Sequence, residues 1–128
     1  MFYVRAINRM TSHLTSFGPY ETKEDAYAAI STGRRCGGNV RWRVRPLHAP
    51  AEGGDPHGAF AVGISGGSGQ VIGPFATAAA ARAWMRKNKL DCRYDPVFGY
   101  VVTLMLEIDE ETAKWLRLRR PRQVIVQR

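Results

Sequence analysis

Apolar and polar positions follow the same order twice along the chain. Phe2-Tyr3-Val4-Arg5-Ala6-Ile7 and Phe60-Ala61-Val62-Gly63-Ile64 read as β-strands. Each ends at a polar or glycine-rich turn, Asn8 to Ser12 in one case and Ser65-Gly66-Gly67-Ser68-Gly69 in the other. A second short strand then completes a hairpin and leads into Gly18-Pro19-Tyr20-Glu21-Thr22 or Gly73-Pro74-Phe75-Ala76-Thr77. Past these phrases the period becomes helical, because Ala26, Ala29 and Ile30, and later Ala81, Trp84 and Met85, recur at i, i+3 and i+4. Thr22 and Thr77 stand where an N-cap hydroxyl accepts from backbone N–H groups of the first turn, and the helices are expected to end near Gly33 and Asn88. A last strand closes each half: Val40 to Arg45, strictly alternating, and Phe98 to Leu106, apolar almost throughout.

Setting the two Gly-Pro phrases in register places Phe17 on Ile72, Tyr20 on Phe75, Thr22 on Thr77, Ala26 on Ala81, Ala28 on Ala83 and Ile30 on Met85. One spacing across loop and helix points to an internal duplication. The expected fold is α+β, with two ββαβ units over 1–46 and 59–106, a mainly antiparallel sheet and a Gly/Pro-rich linker over 47–58. Residues 107–128 are expected to form a short C-terminal helix and tail. Asp109 opens that helix, Glu110 and Glu111 suit its first turn, and Arg117, Arg119 and Arg120 suit its end. Pro121 stops it, and Gln123 to Val126 would supply a further edge strand. The whole is expected to be one pseudo-symmetric domain, packed about a pseudo-twofold axis with its helices on one side.

Glycine permits backbone angles that other residues resist, proline fixes its own φ, and threonine caps the helix, so the repeated phrase reads as a corner from strand to helix. A phosphate-cradling loop would need a glycine-rich run and a lysine in P-loop order; each phrase has one glycine, and the glycine-rich Gly66-Gly67-Ser68-Gly69 lies between two strands and not before a helix. Gly18-Pro19-Tyr20 and Gly73-Pro74-Phe75, with their alanine-rich helices, resemble the Gly-Pro-Phe-then-helix segment of SPOR peptidoglycan-binding domains over a short stretch of each half. The hairpin strand before each phrase departs from that family, and its function is not carried over.

Composition changes the picture mainly through charge. At 128 residues the chain suits a single core, but its net charge of +8 raises the expectation of a polyanionic partner. The same sign argues against a mimic of DNA. No apolar run reaches the roughly 20 residues of a membrane-spanning helix, and MFYVRAINRM lacks the apolar block of a signal peptide, so a cytoplasmic location without membrane contact is expected. Cys36 and Cys92 are too few for a disulfide scaffold or a structural zinc site and are expected as thiols.

Catalytic chemistry finds little support. His13, His48 and His57 have no helical metal-ligand spacing, and neither cysteine has an indicated base beside it, although Arg34-Arg35 and Arg93 adjoin them. No enzyme activity, cofactor or metal is expected. The placed cations are arginines: Arg41, Arg43 and Arg45 share one face of their strand, about 7 Å apart, as a row matched to a phosphodiester backbone. Arg34 and Arg35 would extend the row, and Arg117, Arg119, Arg120 and Arg122 form a second dense group. Arg86-Lys87-Asn88-Lys89 also suits a helix C-terminus. Trp42, Trp84 and Trp115 fall on apolar faces and are assigned to the core, which leaves Tyr94 and Tyr100 as candidates for stacking.

The sequence is therefore read as a small non-enzymatic protein, monomer or homodimer, that binds nucleic acid or a nucleoprotein complex mainly through phosphate contacts. The alternative is a protein-interaction module, such as an inhibitor or adaptor from a phage or plasmid acting on a host protein complex.

Overall fold

The computed structural model describes residues 1–35, 39–66 and 69–105. They form a mixed α+β fold in the order β1 (Phe2–Asn8), β2 (Leu14–Tyr20), α1 (Lys23–Arg35), β3 (Val40–Pro46), β4 (Phe60–Ser65), β5 (Val71–Phe75), α2 (Ala78–Lys87) and β6 (Phe98–Met105). The C-terminal helix and edge strand expected after Leu106 lie outside the described residues, as does Cys36.

The strands join in one six-stranded sheet, ordered β3-β1-β2-β6-β4-β5. Neighbours are antiparallel except β2 and β6, which run parallel where Ser16 meets Leu104 and Phe17 meets Met105. At the outer margins the chain just past β3 turns across to β5. A parallel bridge joins His48 to Ile72, with His48 N–H donating to Val71 C=O at 2.9 Å and Gly73 N–H to His48 C=O at 2.8 Å. Each half thus gives its third strand, or the continuation of it, as a parallel partner to the second strand of the other half.

Both helices cover the same face of the sheet. Ala26 and Ile30 of α1 pack on Val4, Ala6 and Phe17, while Ala81 and Met85 of α2 pack on Val62, Ile72 and Phe75. Trp42 and Trp84 border these clusters half-buried, with ring centroids 6.1 Å from Phe17 and 6.0 Å from Phe75. Thr22 Oγ1 accepts from Asp25 N–H at 3.1 Å and Thr77 Oγ1 from Ala80 N–H at 3.0 Å, as expected of N-caps. The first helix runs past Gly33 to Arg35, and Gly33 is buried within it.

The other face carries a third cluster: Tyr3, Leu47, Ala61, Val71 and Leu104, with Val102 against it. In a flat sheet β1 and β5, four strand spacings apart, would be separated by roughly 20 Å. Their shared cluster requires the sheet to curl, and the His48 bridge closes the curl at one end.

The repeated Gly-Pro phrases lie inside the second strands instead of following them. In β1–β2 the register passes from Phe2↔Tyr20 to Val4↔Phe17, and in β4–β5 from Phe60↔Phe75 to Val62↔Ile72. Gly18-Pro19 therefore stands opposite Tyr3 alone, and Gly73-Pro74 opposite Ala61 alone: each phrase is a β-bulge. Proline lacks the N–H that the ladder needs and is tolerated where the ladder is interrupted. The glycines have φ of 143° and 156°, which side-chain-bearing residues rarely adopt, and a Cβ on Gly73 would lie in a tight 3.2 Å contact with Ala61 Cα.

The 47–58 stretch, expected as a linker, lies against the sheet margin. Leu47 is buried and donates its N–H to Met1 C=O at 2.9 Å, Asp55 N–H donates to Pro74 C=O at 2.9 Å, and Gly58 is buried. Glu52 forms an ion pair with Lys87 of α2. Because both halves share one sheet, they should unfold together. In urea, variants retaining only Trp42 or only Trp84 should report superimposable fluorescence transitions; two separated midpoints would show independent halves. Phe17→Ala and Phe75→Ala, at fully buried positions, should each cost about 3–5 kcal/mol in the same assay.

Candidate polyanion-binding face

β3 has the burial pattern that its sequence alternation demands. Trp42 and Val44 turn toward α1, while Arg41, Arg43 and Arg45 are exposed on the opposite face. The antiparallel register with β1 sets Ile7 opposite Arg41, Arg5 opposite Arg43 and Tyr3 opposite Arg45. Directly opposed residues point to the same side, so the three arginines share the concave face with Arg5 and with Tyr3 of the central cluster. On β2, Ser16 stands opposite Arg5 and is buried.

Two guanidiniums face each other in the Arg5–Arg43 pair, an arrangement that repels unless an anion lies between them. Arg5 is half-buried, and its Nε is shielded from solvent without a hydrogen-bond partner. Among the described residues, no carboxylate is paired with Arg5, Arg41, Arg43 or Arg45. The face is thus cationic, with its charge left uncompensated by described side chains.

Tyr3 marks the inner limit of this face. Burial raises its hydroxyl pKa above the usual 10.0, and the neighbouring Tyr100 adds to the effect. The positive charges of Arg45 and Arg5, and a hydrogen bond from Arg45, act in the opposite direction without overcoming burial. Tyr100, on β6, is exposed and stands opposite Gly63 of β4.

Other expected residues are placed elsewhere. Arg34 and Arg35 are exposed in the last turn of α1, on the helix-covered side of the sheet, where they complement the helix dipole; Arg35 also donates to Thr32 Oγ1 at 3.3 Å. They do not continue the β3 row across its face. Arg117, Arg119, Arg120 and Arg122 lie outside the described residues. His13 sits in the β1–β2 turn, His48 at the margin bridge and His57 in the turn held by Asp55. No three His, Cys, Asp or Glu side chains gather as metal ligands among the described residues, and Cys92 is an exposed free thiol.

Arg5 and Tyr3 carry no signal in the sequence that marks them as site residues, although both lie on the polar side of the alternating first strand. Their relevance comes from the β1–β3 register, which links residues some forty positions apart. Arg82, Arg86 and Arg93 likewise become a group only in the fold. They line a groove of about 670 Å³ beside β6 together with Asp91, Phe98 and Tyr100. A second cleft, of about 380 Å³, lies under the 49–56 segment and is lined by Met1, Leu47, Glu52, Asp55 and Pro74, with no arginine on its wall.

No protein-family model, curated protein or solved structure matches the chain. No described helix is long and apolar enough to cross a membrane.

The raised Tyr3 pKa has a definite sign for stability. Between 10 and its folded-state value the unfolded chain has released the phenolic proton while the folded chain retains it, so stability falls as pH rises through that interval and is unaffected by Tyr3 below it. A 295-nm absorbance titration should show a late-ionising component that Tyr3→Phe removes.

Proposed function

We propose that this protein is a non-enzymatic binder of nucleic acid, or of a nucleoprotein complex, that engages phosphates through Arg41, Arg43 and Arg45 with Arg5 beside them. The observation that carries the proposal is the opposed Arg5–Arg43 pair, which lacks a carboxylate partner among the described residues and whose Arg5 Nε is buried without an acceptor. A phosphate supplies the missing negative charge and accepts from the exposed guanidinium of Arg43. Successive phosphates can then follow the exposed row along β3, and such contacts favour binding of modest sequence preference.

We also infer that the two ββαβ halves descend from a duplicated unit. What supports this is the shared order of elements, the bulge at the same place in both hairpins and the equivalent threonine caps. The halves then differ where function would have diverged: Arg5 and Arg43 face each other in the first, and Gly63 and Tyr100 face each other in the second.

Fluorescence anisotropy with a labelled oligonucleotide over a series of salt concentrations tests the proposal. The logarithm of the association constant should fall linearly with log salt. Replacing Arg41, Arg43 and Arg45 together by glutamine should reduce the slope by about 0.7–0.9 for each phosphate that is no longer neutralised. A salt-independent constant, no binding at low salt, or an unchanged slope in the triple variant would reject the assignment. Retention of a protein partner after nuclease treatment, with no oligonucleotide binding, would favour the protein-interaction module instead.

A further inference from the structure

We infer that the ligand of this face is single-stranded nucleic acid, whose unpaired bases stack on Tyr100. This inference rests on the proposed phosphate-binding role of the arginine face and narrows its ligand. Its geometry begins at Gly63. An ideal Cβ built there would meet the Tyr100 ring, 2.4 Å from Cζ and 2.6 Å from Cε2, so the ring occupies the space that a side chain at 63 would take. The ring is therefore laid against the backbone of β4 and fixed there, yet Tyr100 remains 46% exposed. A large apolar ring held from one side and open to solvent on the other is a stacking platform, and a base can occupy its free side.

The platform stands among cations. Tyr100 shares a sheet face with Val102, which packs on the central cluster, and Tyr3 of that cluster stands opposite Arg45 at the end of the β3 row. Tyr100 also borders the groove that carries Arg82, Arg86 and Arg93, which lies toward α2, with Asp91 as the one carboxylate on that wall. The groove has the volume of a small-ligand site. An aromatic ring on the same sheet face as the arginine row matches a strand whose backbone crosses the surface while its bases turn inward. A duplex, with its bases already stacked and paired, can use the arginines but not the ring. Tyr100 and Gly63 thus account for a feature that phosphate binding alone leaves without a purpose.

The test compares three probes of equal length at one salt concentration: a thymidine oligonucleotide, the same backbone with abasic residues, and a duplex. The thymidine strand should bind more tightly than the abasic strand by about 5- to 150-fold, the range for one stacked base, and more tightly than the duplex. Tyr100→Ala should remove most of that advantage, Tyr100→Phe should keep it, and Gly63→Ala, by displacing the ring, should behave like Tyr100→Ala. All variants should leave abasic-strand binding unchanged. Equal binding of thymidine and abasic strands, or tighter binding of the duplex, overturns the single-strand inference while leaving phosphate binding intact. If none of the three probes binds at low salt, both fall.

Discussion

The fold depends on one apolar cluster built from strands that are not neighbours. Tyr3, Leu47, Ala61, Val71 and Leu104 come from both ends of the sheet order, and they can meet only if the sheet bends around them. Burial of this patch is the force that curls the sheet, since its side chains would otherwise stand on an open face in water. The parallel contact of β2 with β6 and the bridge of His48 to Ile72 then give backbone partners to strands drawn together by that burial. The bulges contribute as well, because an extra residue in one strand increases local twist where the hairpins must bend. Both helices lie on the face opposite this cluster.

Curling also decides where charge can go. Tyr3, Arg5 and Ile7 share a side of β1, but Tyr3 falls inside the cluster while Arg5 lies farther along the strand, where it is half-buried. Arginine suits this boundary because its aliphatic stem can rest on apolar neighbours while its guanidinium reaches the surface. The cost is repulsion between Arg5 and Arg43, held by the same register that builds the sheet. Stability and the charged face are therefore in tension.

Much of the architecture is legible in the sequence because it is written in local periods. Alternation or apolar runs identify β1, β3, β4 and β6 to within a residue or two, the i, i+3, i+4 pattern gives both helices, and Thr22 and Thr77 give their starts. The repeated phrase is located correctly but its geometry is not, since Gly-Pro before a helix reads as a turn, whereas only the paired strand reveals a bulge. The Arg41, Arg43 and Arg45 row follows from alternation alone. Its enlargement by Arg5, and the separation of Arg34 and Arg35 from it, depend on which strand β3 joins and which face α1 covers. The 47–58 stretch lacks periodicity because its hydrogen bonds go to a margin formed by another part of the chain, so composition alone marks it as a linker.

That margin carries a consequence for coexistence of many copies in one compartment. By lying along β5, the 47–58 stretch occupies backbone groups that would otherwise recruit a foreign strand. The outer side of β3 has no strand along Val40–Pro46 among the described residues, but it is flanked by Arg41, Arg43 and Arg45. Two such margins approaching each other bring six guanidiniums together, and the repulsion opposes edge-to-edge aggregation. With no anion bound, the positive row thus disfavours pairing of two such open margins.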